Sequence, residues 1–323
     1  MSGILRFLAL VPLVFCLGSA TSHAQNYPSK PVRVIVPAAS GTNPDVLARL
    51  IFQQMSEGLR QQFIIDNRPG TGGTIAAAAA AKLPADGYSL FMGDSGPISI
   101  WPALSSKLSY DSARDFVPIA GLVRAPLILL VHPSIQVNSV GDLVAYAKSR
   151  PEKLRYGTFG NGSVHHLITE MFTTMAGIKM VHVPFRAGSE FLGGLLNGDI
   201  EVAFFGAPLA LPHIKDGKLR VLGITSGKRS PALPSIPAIA ELGFPRFDVS
   251  ASIGLLAPTG TPREVIATLQ AAAQSAMADA KIRDRVSDLG MMPIPANEAY
   301  EGIIRSETEM FGQAVRAAGV KID

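Results

Sequence analysis

The sequence predicts an α/β protein of two lobes, each a mostly parallel sheet flanked by helices, with two strands crossing between the lobes as a hinge. Three observations predict it. Short apolar runs alternate with helical patterns along the chain, glycine loops repeatedly join one to the other, and no serine-rich, glycine-rich or charged linker divides the sequence. Such alternation implies parallel sheets covered by helices, and the missing linker means that any lobe boundary runs through structured segments.

The first unit sets the pattern. Val32, Val34, Ile35 and Val36 form a buried strand pattern, residues 37–42 a turn, and Val46, Leu47, Leu50 and Ile51 one face of a helix. Asn43 suits the helix N-cap, and Pro44 suits the first helical position, where its missing N–H would have had no partner. Free N–H groups at such a junction seat an anion. The unit recurs: a strand over 63–66 leads through 67–73 into an alanine-rich helix from about 74, and a strand over 88–92 leads into Gly93, Asp94, Ser95 and Gly96. Residues 154–159 lead into Gly160, Asn161, Gly162 and Ser163 and a helix to about 176. Residues 180–183 lead into the loop 184–189 and a helix over about 190–196, and residues 200–204 into Phe205, Gly206 and a short helix ending near 214. In open α/β sheets, ligands sit beyond the carboxyl ends of the strands, where these loops lie.

Two extended stretches, 127–131 before His132 and Pro133 and 249–256 before Ala257 and Pro258, are the crossing strands. Lobe one then comprises 25–126 plus 250–323, with helices over about 262–278 and 298–318 packing back on it, and lobe two comprises 127–249. A double crossing suits closure around a ligand, because a few strand residues can absorb the rotation.

Residues 1–24 have the form of a secretory signal: Arg6 supplies a positive charge, residues 7–17 are apolar, and Ser22, His23 and Ala24 precede the expected cleavage. The segment is too short for a stable membrane anchor. Cleavage leaves 299 of 323 residues, without the single cysteine, Cys16, so core packing must stabilise the exported chain. The formal charge of +4 becomes +3 without Arg6, and no lysine or arginine run exists, so nucleic-acid binding, which needs clustered basic residues on one face, is not suggested. No later apolar stretch reaches membrane-spanning length without polar interruption.

Enzyme chemistry is not indicated. Ser163 and His166 lie three residues apart but lack the Gly-x-Ser-x-Gly elbow, and such spacing does not establish a nucleophile and its base. No His-Glu-x-x-His spacing occurs, and residues 70–73 lack the lysine of a phosphate-binding loop. No catalytic residue, metal or cofactor is expected.

Several stretches together carry a family resemblance: Tyr27-Pro28-Ser29-Lys30-Pro31-Val32-Arg33, Asp66-Asn67-Arg68-Pro69-Gly70-Thr71-Gly72-Gly73, Pro84-Ala85-Asp86-Gly87-Tyr88, Met180-Val181-His182-Val183-Pro184, Leu211-Pro212-His213-Ile214 and residues 225–234. With Gly160-Asn161-Gly162-Ser163, they resemble the Bug family of periplasmic solute receptors, which serve tripartite tricarboxylate transporters. The resemblance covers the mature chain in order. It implies a type II-like two-lobed periplasmic-binding-protein fold, closing on a small carboxylate held by backbone N–H groups, hydroxyls and bridging water. The implied partners are a small organic acid and the transporter's membrane subunits, with no nucleic acid, and a monomer is expected. An exported sensor that docks on a kinase would use the same cleft and the same closure.

Carried over by position, the resemblance implies ligand contacts from Ala38, Ala39, Ser40, Gly41, Thr42 and Asp45, and from Asp94 and Ser95. On lobe two it implies Gly160, Asn161, Gly162, Ser163 and His166, then Arg186, Ala187 and Gly188, then Phe205 and Gly206. Plain structural roles stand beside these: Asp45 as a first-turn acid, Ser163 as a helix cap, His165 as an ordinary hydrogen-bonded histidine and Arg186 as a solvent-facing charge. The first loop departs from the family at Ala38, Thr42 and Pro44, where an aromatic, a glycine and a threonine are usual. Phe205 and Gly206 replace an aspartate and an asparagine found in many relatives, and Ile253 replaces an aromatic. Lost polar contacts and gained apolar surface point to a ligand with one carboxylate and an apolar or aromatic body, rather than an amino acid or a tricarboxylate.

Overall fold

The computed structural model describes residues 27–318 with residue 187 excepted, so the expected signal segment over 1–24, Cys16 and Ala187 lie outside the described residues. The chain first lays down β1 (Val32–Val36), α1 (Asn43–Leu59), β2 (Phe63–Asn67), α2 (Thr74–Ala80) and β3 (Ser89–Asp94). A π-helical turn over Gly96–Ile100 runs into α3 (Trp101–Leu104), followed by β4 (Phe116–Ala125). The middle of the chain supplies β5 (Ile128–Val131), α4 (Val140–Ser149), β6 (Arg155–Thr158), α5 (Val164–Ala176), β7 (Val181–Pro184), α6 (Gly188–Asn197), β8 (Val202–Phe205), α7 (Ala207–Lys215) and β9 (Arg220–Ile224). It closes with β10 (Ala251–Pro258), α8 (Arg263–Ala278), α9 (Ala280–Asp288), β11 (Met292–Pro293) and α10 (Tyr300–Ala318).

These strands form two sheets, in the orders β11-β4-β10-β3-β1-β2 and β7-β6-β8-β5-β9. Parallel pairing joins β1 to β2 and β3, and β6 to β7 and β8. The other pairs are antiparallel, so each sheet is mixed where a mostly parallel one was expected. The physical reason lies in the connections. A parallel neighbour needs a long helical crossover, whereas β5 and β10 enter their sheets directly from the other one.

Only Pro126 and Leu127 separate β4 from β5. The two crossings run side by side: Thr225 N–H donates to the Leu127 carbonyl and Val249 N–H to the Thr225 carbonyl, each at 2.9 Å. Leu127 N–H in turn donates to Thr225 Oγ1 at 2.9 Å.

The period of two sorts the core residues. Val32, Val34 and Val36 face Leu47, Ile51 and Phe52 of α1, while Ile35 faces Ala76, Ala77 and Ala80 of α2. In the second sheet, Leu129, Tyr156 and Phe204 pack with Leu167 and Phe172 of α5, and Ile128, Ala203 and Phe205 with Phe191 and Leu195 of α6. Helix α10, expected on lobe one, packs against the π-turn, α3 and β4 but also against α5. Its Phe311 and Val315 join Ile100 in the second sheet's core.

Local differences from the sequence reading have simple causes. Thr42, with φ −80° and ψ 166°, is the N-cap of α1 in place of Asn43, because Val46 N–H already bonds the Thr42 carbonyl at 2.9 Å. Gly93 and Asp94 belong to β3 and not to a turn, because they pair with Gly254 and Ile253 of β10. Phe205 likewise ends β8, opposite Ile128, and Gly188 opens α6.

Candidate ligand cleft

Between the sheets lies a cleft of about 600 Å³, its open mouth included. Thr42 and Pro44 at the start of α1, Asp94 at the end of β3, and Ala251 and Ile253 of β10 line one wall. Phe159 after β6, Val164 and His165 opening α5, Phe205 ending β8, and Gly206 and Leu209 opening α7 line the other. Ala125 and Leu127 at the first crossing complete it. The cleft thus sits beyond the carboxyl ends of β3, β6 and β8, as open α/β sheets place their ligands.

An aromatic cluster builds the second wall. The Phe205 ring meets Phe191 edge-on at 4.8 Å, and Phe159 meets His165 at 4.6 Å and Phe191 at 5.2 Å. Burial holds the His165 imidazole down to about 3, so it is neutral at physiological pH. Leu209, 38% exposed, adds apolar surface.

Three helix N-termini open onto this cleft, those of α1, α5 and α7. The first N–H groups of a helix have no intrahelical acceptor, and the helix dipole favours negative charge there. Among the described residues, no lysine or arginine lines the cleft, and Asp94 is the one acidic residue that does. Its Oδ1 accepts Gly96 N–H at 2.9 Å, and burial pushes its carboxyl up to about 6.

Of the residues singled out in the sequence, Thr42, Asp94, Phe205 and Gly206 line the cleft, as do Pro44 and Ile253, which were noted there as departures from the family. The rest of the first loop is tied to itself. Thr42 Oγ1 donates to the Ala39 carbonyl at 2.7 Å, Gly41 N–H to Asp45 Oδ2 at 2.8 Å, and Ser40 Oγ to Asn67 Oδ1 at 3.5 Å. Ala38 packs on the first sheet's core, and its carbonyl accepts Asn67 Nδ2 at 3.0 Å. Asp45 is buried and pairs with Arg49 at 2.9 Å. Burial alone would raise its carboxyl, but the Arg49 guanidinium and the Gly41 N–H outweigh that and hold it below the usual range.

The loop before α5 is equally self-contained. Gly160 N–H donates to Thr158 Oγ1 at 3.0 Å, Gly162 N–H to His166 Nδ1 at 3.2 Å and Ser163 N–H to the Gly160 carbonyl at 3.2 Å. Ser163 Oγ caps α5 by accepting His166 N–H at 3.3 Å. The imidazole is turned to Gly162, so Ser163 and His166 do not form a nucleophile–base pair. His166 stacks on His182 at 4.3 Å inside the second lobe, and burial holds both imidazoles down to about 4. The neighbouring residue faces the cleft instead: one step along a helix turns a side chain by about 100°. His165 is therefore the lining histidine where His166 was expected. Asn161 and Arg186 are exposed, with Arg186 N–H donating to Glu190 Oε2 at 3.4 Å. Gly188 sits at the mouth, where a Cβ would lie 3.7 Å from Phe159 and 4.0 Å from Thr42 Cγ2.

Ser95 lies behind the floor. Its Oγ donates to Glu307 Oε2 of α10 at 2.8 Å and accepts Ser252 N–H at 2.8 Å. Ser252 Oγ also donates to Glu307 Oε2 at 2.8 Å, and Ser252 N–H reaches Glu307 Oε1 at 3.0 Å. This network stays within lobe one, whereas a close approach crosses between the lobes at Gly162, where a Cβ would come within 2.8 Å of Leu104 Cδ1 and 3.3 Å of the Trp101 ring.

Sequence reasoning missed Phe159, Val164, His165, Leu209 and the crossing residues Ala125, Leu127 and Ala251 as lining residues. Phe159, an aromatic directly before the glycine loop, carried a usable signal. So did Leu127, which stands at the crossing where any cleft must have its floor.

A family model described as tripartite tricarboxylate transporter family receptor matches residues 47–320. The protein BugT of Bordetella pertussis is 31% identical over 325 residues, covering 98% of each chain. Among solved structures, R. palustris Rpa4515 with adipate is similar with a TM-score of 0.86 and 34% identity, covering 91% of this chain and 99% of that one. MatC from Rhodopseudomonas palustris with bound malate has a TM-score of 0.82 and 31% identity, covering 90% and 100%.

Proposed function

The chain belongs to the tripartite tricarboxylate transporter receptor family, and from that premise we propose that it captures a small organic acid in its cleft and delivers it to the membrane subunits of such a transporter. The lobes are residues 25–126 plus 250–323 and residues 127–249, and the segment 1–24 directs export to the periplasm. The ligand carries one carboxylate on an apolar or aromatic body. No metal, cofactor or catalytic group takes part.

One observation carries this reading: three helix N-termini converge on an apolar cleft lined, among the described residues, by no lysine or arginine. The carboxylate accepts free N–H groups from the first turns of α5 and α7, from residues such as Val164, His165, Ala207 and Leu209. The ligand's body packs on Phe205, Ile253 and Leu127, which exchange water for apolar contact. Because contacts come from both lobes, the ligand binds the closed arrangement more tightly than the open one and shifts the population toward it. The two crossings absorb that rotation. The adipate and malate bound by the relatives support a small carboxylate as the class.

Mass spectrometry of small molecules released from freshly purified protein tests the reading. A monocarboxylate with an apolar body, bound one to one, is the expected result. Recovery of citrate or an amino acid as the sole stoichiometric ligand would contradict it.

A further inference from the structure

The cleft contains one feature that anion capture does not use, the carboxyl group of Asp94. It is built in place. Asp94 pairs with Ile253 in the sheet, and its Oδ1 is fixed by Gly96 N–H at 2.9 Å. Position 96 must be glycine for this, since a Cβ there would lie 2.9 Å from Asp94 Oδ1 and 2.9 Å from the Gly72 carbonyl oxygen. Among the described residues no donor meets Oδ2, and the group lines the cleft. It stands on the first lobe, whereas α5 and α7 open from the second.

The charged and titratable groups around it offer no compensation. Tyr110 donates its hydroxyl to the Pro97 carbonyl at 2.7 Å, and the Tyr300 hydroxyl is buried without a partner among the described residues. Glu307 lies behind Ser95 and Ser252, and His165 across the cleft is neutral. Among the described residues no lysine or arginine lines the cleft. A second ionised carboxylate on the ligand would therefore meet a like charge in apolar surroundings, where repulsion is weakly screened. A full positive charge on the ligand would itself lose its hydration there. A neutral hydroxyl loses little and donates one charge-assisted hydrogen bond to Oδ2.

Resting on the receptor reading above, we propose that Asp94 determines specificity at the ligand's far end: it rejects a second carboxylate and accepts a hydroxyl, so the ligand class is a hydroxy acid whose hydroxyl is remote from its carboxylate. This separates the chain from its relatives crystallised with adipate and malate.

The test is calorimetric titration of the full mature protein and its Asp94→Asn variant at pH 7.5. Two matched sets serve as probes: 4-hydroxybenzoate, benzoate and terephthalate, then 6-hydroxyhexanoate, hexanoate and adipate. Wild type should bind the hydroxy acid of at least one set tenfold or more tighter than the diacid of that set, with the unsubstituted acid between. The Asn variant should shrink that ratio at least tenfold by gaining the diacid. A wild type that binds diacids as tightly as hydroxy acids overturns the proposal, and so does a ratio unchanged in a folded Asn variant. The wild-type ratio decides alone if the variant does not fold. Silence from all six acids overturns the receptor reading itself, whereas binding that ignores the far end overturns only the role of Asp94.

Discussion

Replacing Glu307 by Gln should remove a pH dependence of stability that the wild type carries between about pH 4.5 and 7. Glu307 is 5% exposed, and burial pushes its carboxyl from 4.5 up to about 7 against the hydrogen bonds from Ser252 and Ser95. The folded chain therefore holds a proton that the unfolded chain releases across this window. This contribution is fully present below pH 4.5 and lost as pH rises to 7, and at 1.36 kcal/mol per pH unit it amounts to about 3 kcal/mol. A neutral Gln fits the same donors: its amide nitrogen can donate to the oxygens of Ser95 and Ser252, and its carbonyl can accept Ser252 N–H. Urea unfolding at pH 5 and pH 8 measures the effect. The stability of wild type relative to the Gln variant should fall by about 2 to 3 kcal/mol between the two. Taking the difference cancels Asp94 and the histidines, which titrate in both proteins. Parallel pH dependences would refute the reasoning, because they would mean that Glu307 is ionised at pH 5 in the fold. Glu307→Ala should instead destabilise at both pH values, because it strands buried serine hydroxyls, at about 1 to 3 kcal/mol each.

Other consequences follow from the cleft. Gly162→Ala places a Cβ at a left-handed φ of +72° and against Leu104, so stability should fall by about 1 to 2 kcal/mol from strain alone. Trp101, the single tryptophan, should change its fluorescence in that variant, and ligand affinity should weaken with it. His165 is held neutral to about pH 3 from an ordinary 6.5, so its contribution is present above 6.5 and lost as pH falls. Wild type should lose about 2 kcal/mol more than His165→Leu between pH 6.5 and 5 in thermal or urea unfolding. Phe205→Ala removes a ring that is 2% exposed and should cost about 3 to 5 kcal/mol in stability, with a further loss of affinity for aromatic acids by calorimetry.

The strand–loop–helix units were legible because each element shows its own period. The apolar residues of β1 alternate in twos and those of α1 follow a helical face, so either is readable without knowing its neighbours. Strand direction was not, since the antiparallel placement of β5 and β10 depends on where the chain has been in the other lobe. Helix α9 was also missed. Only Ile282 and Val286 mark its buried face, and its start rests on Asp279 accepting Lys281 and Ile282 N–H at 2.8 and 3.2 Å. At the site, apolar Phe205 and Ile253 were recognised as departures that remake the wall, and both line the cleft. The glycine loops misdirected attention, because their N–H groups serve their own turns and leave the first helical residues free. His165 and His166 could not be separated by sequence, since the phase of α5 is set by the Ser163 cap and by the stacking of His166 on His182.

Calorimetric titration of ligand-free mature protein with a panel of small acids measures directly whether the cleft captures a monocarboxylate. Saturable one-to-one binding of monocarboxylates with an apolar body is expected, with the negative heat-capacity change that marks apolar burial. Tight binding of citrate or aspartate with no response to benzoate-type or medium-chain monocarboxylates would contradict it.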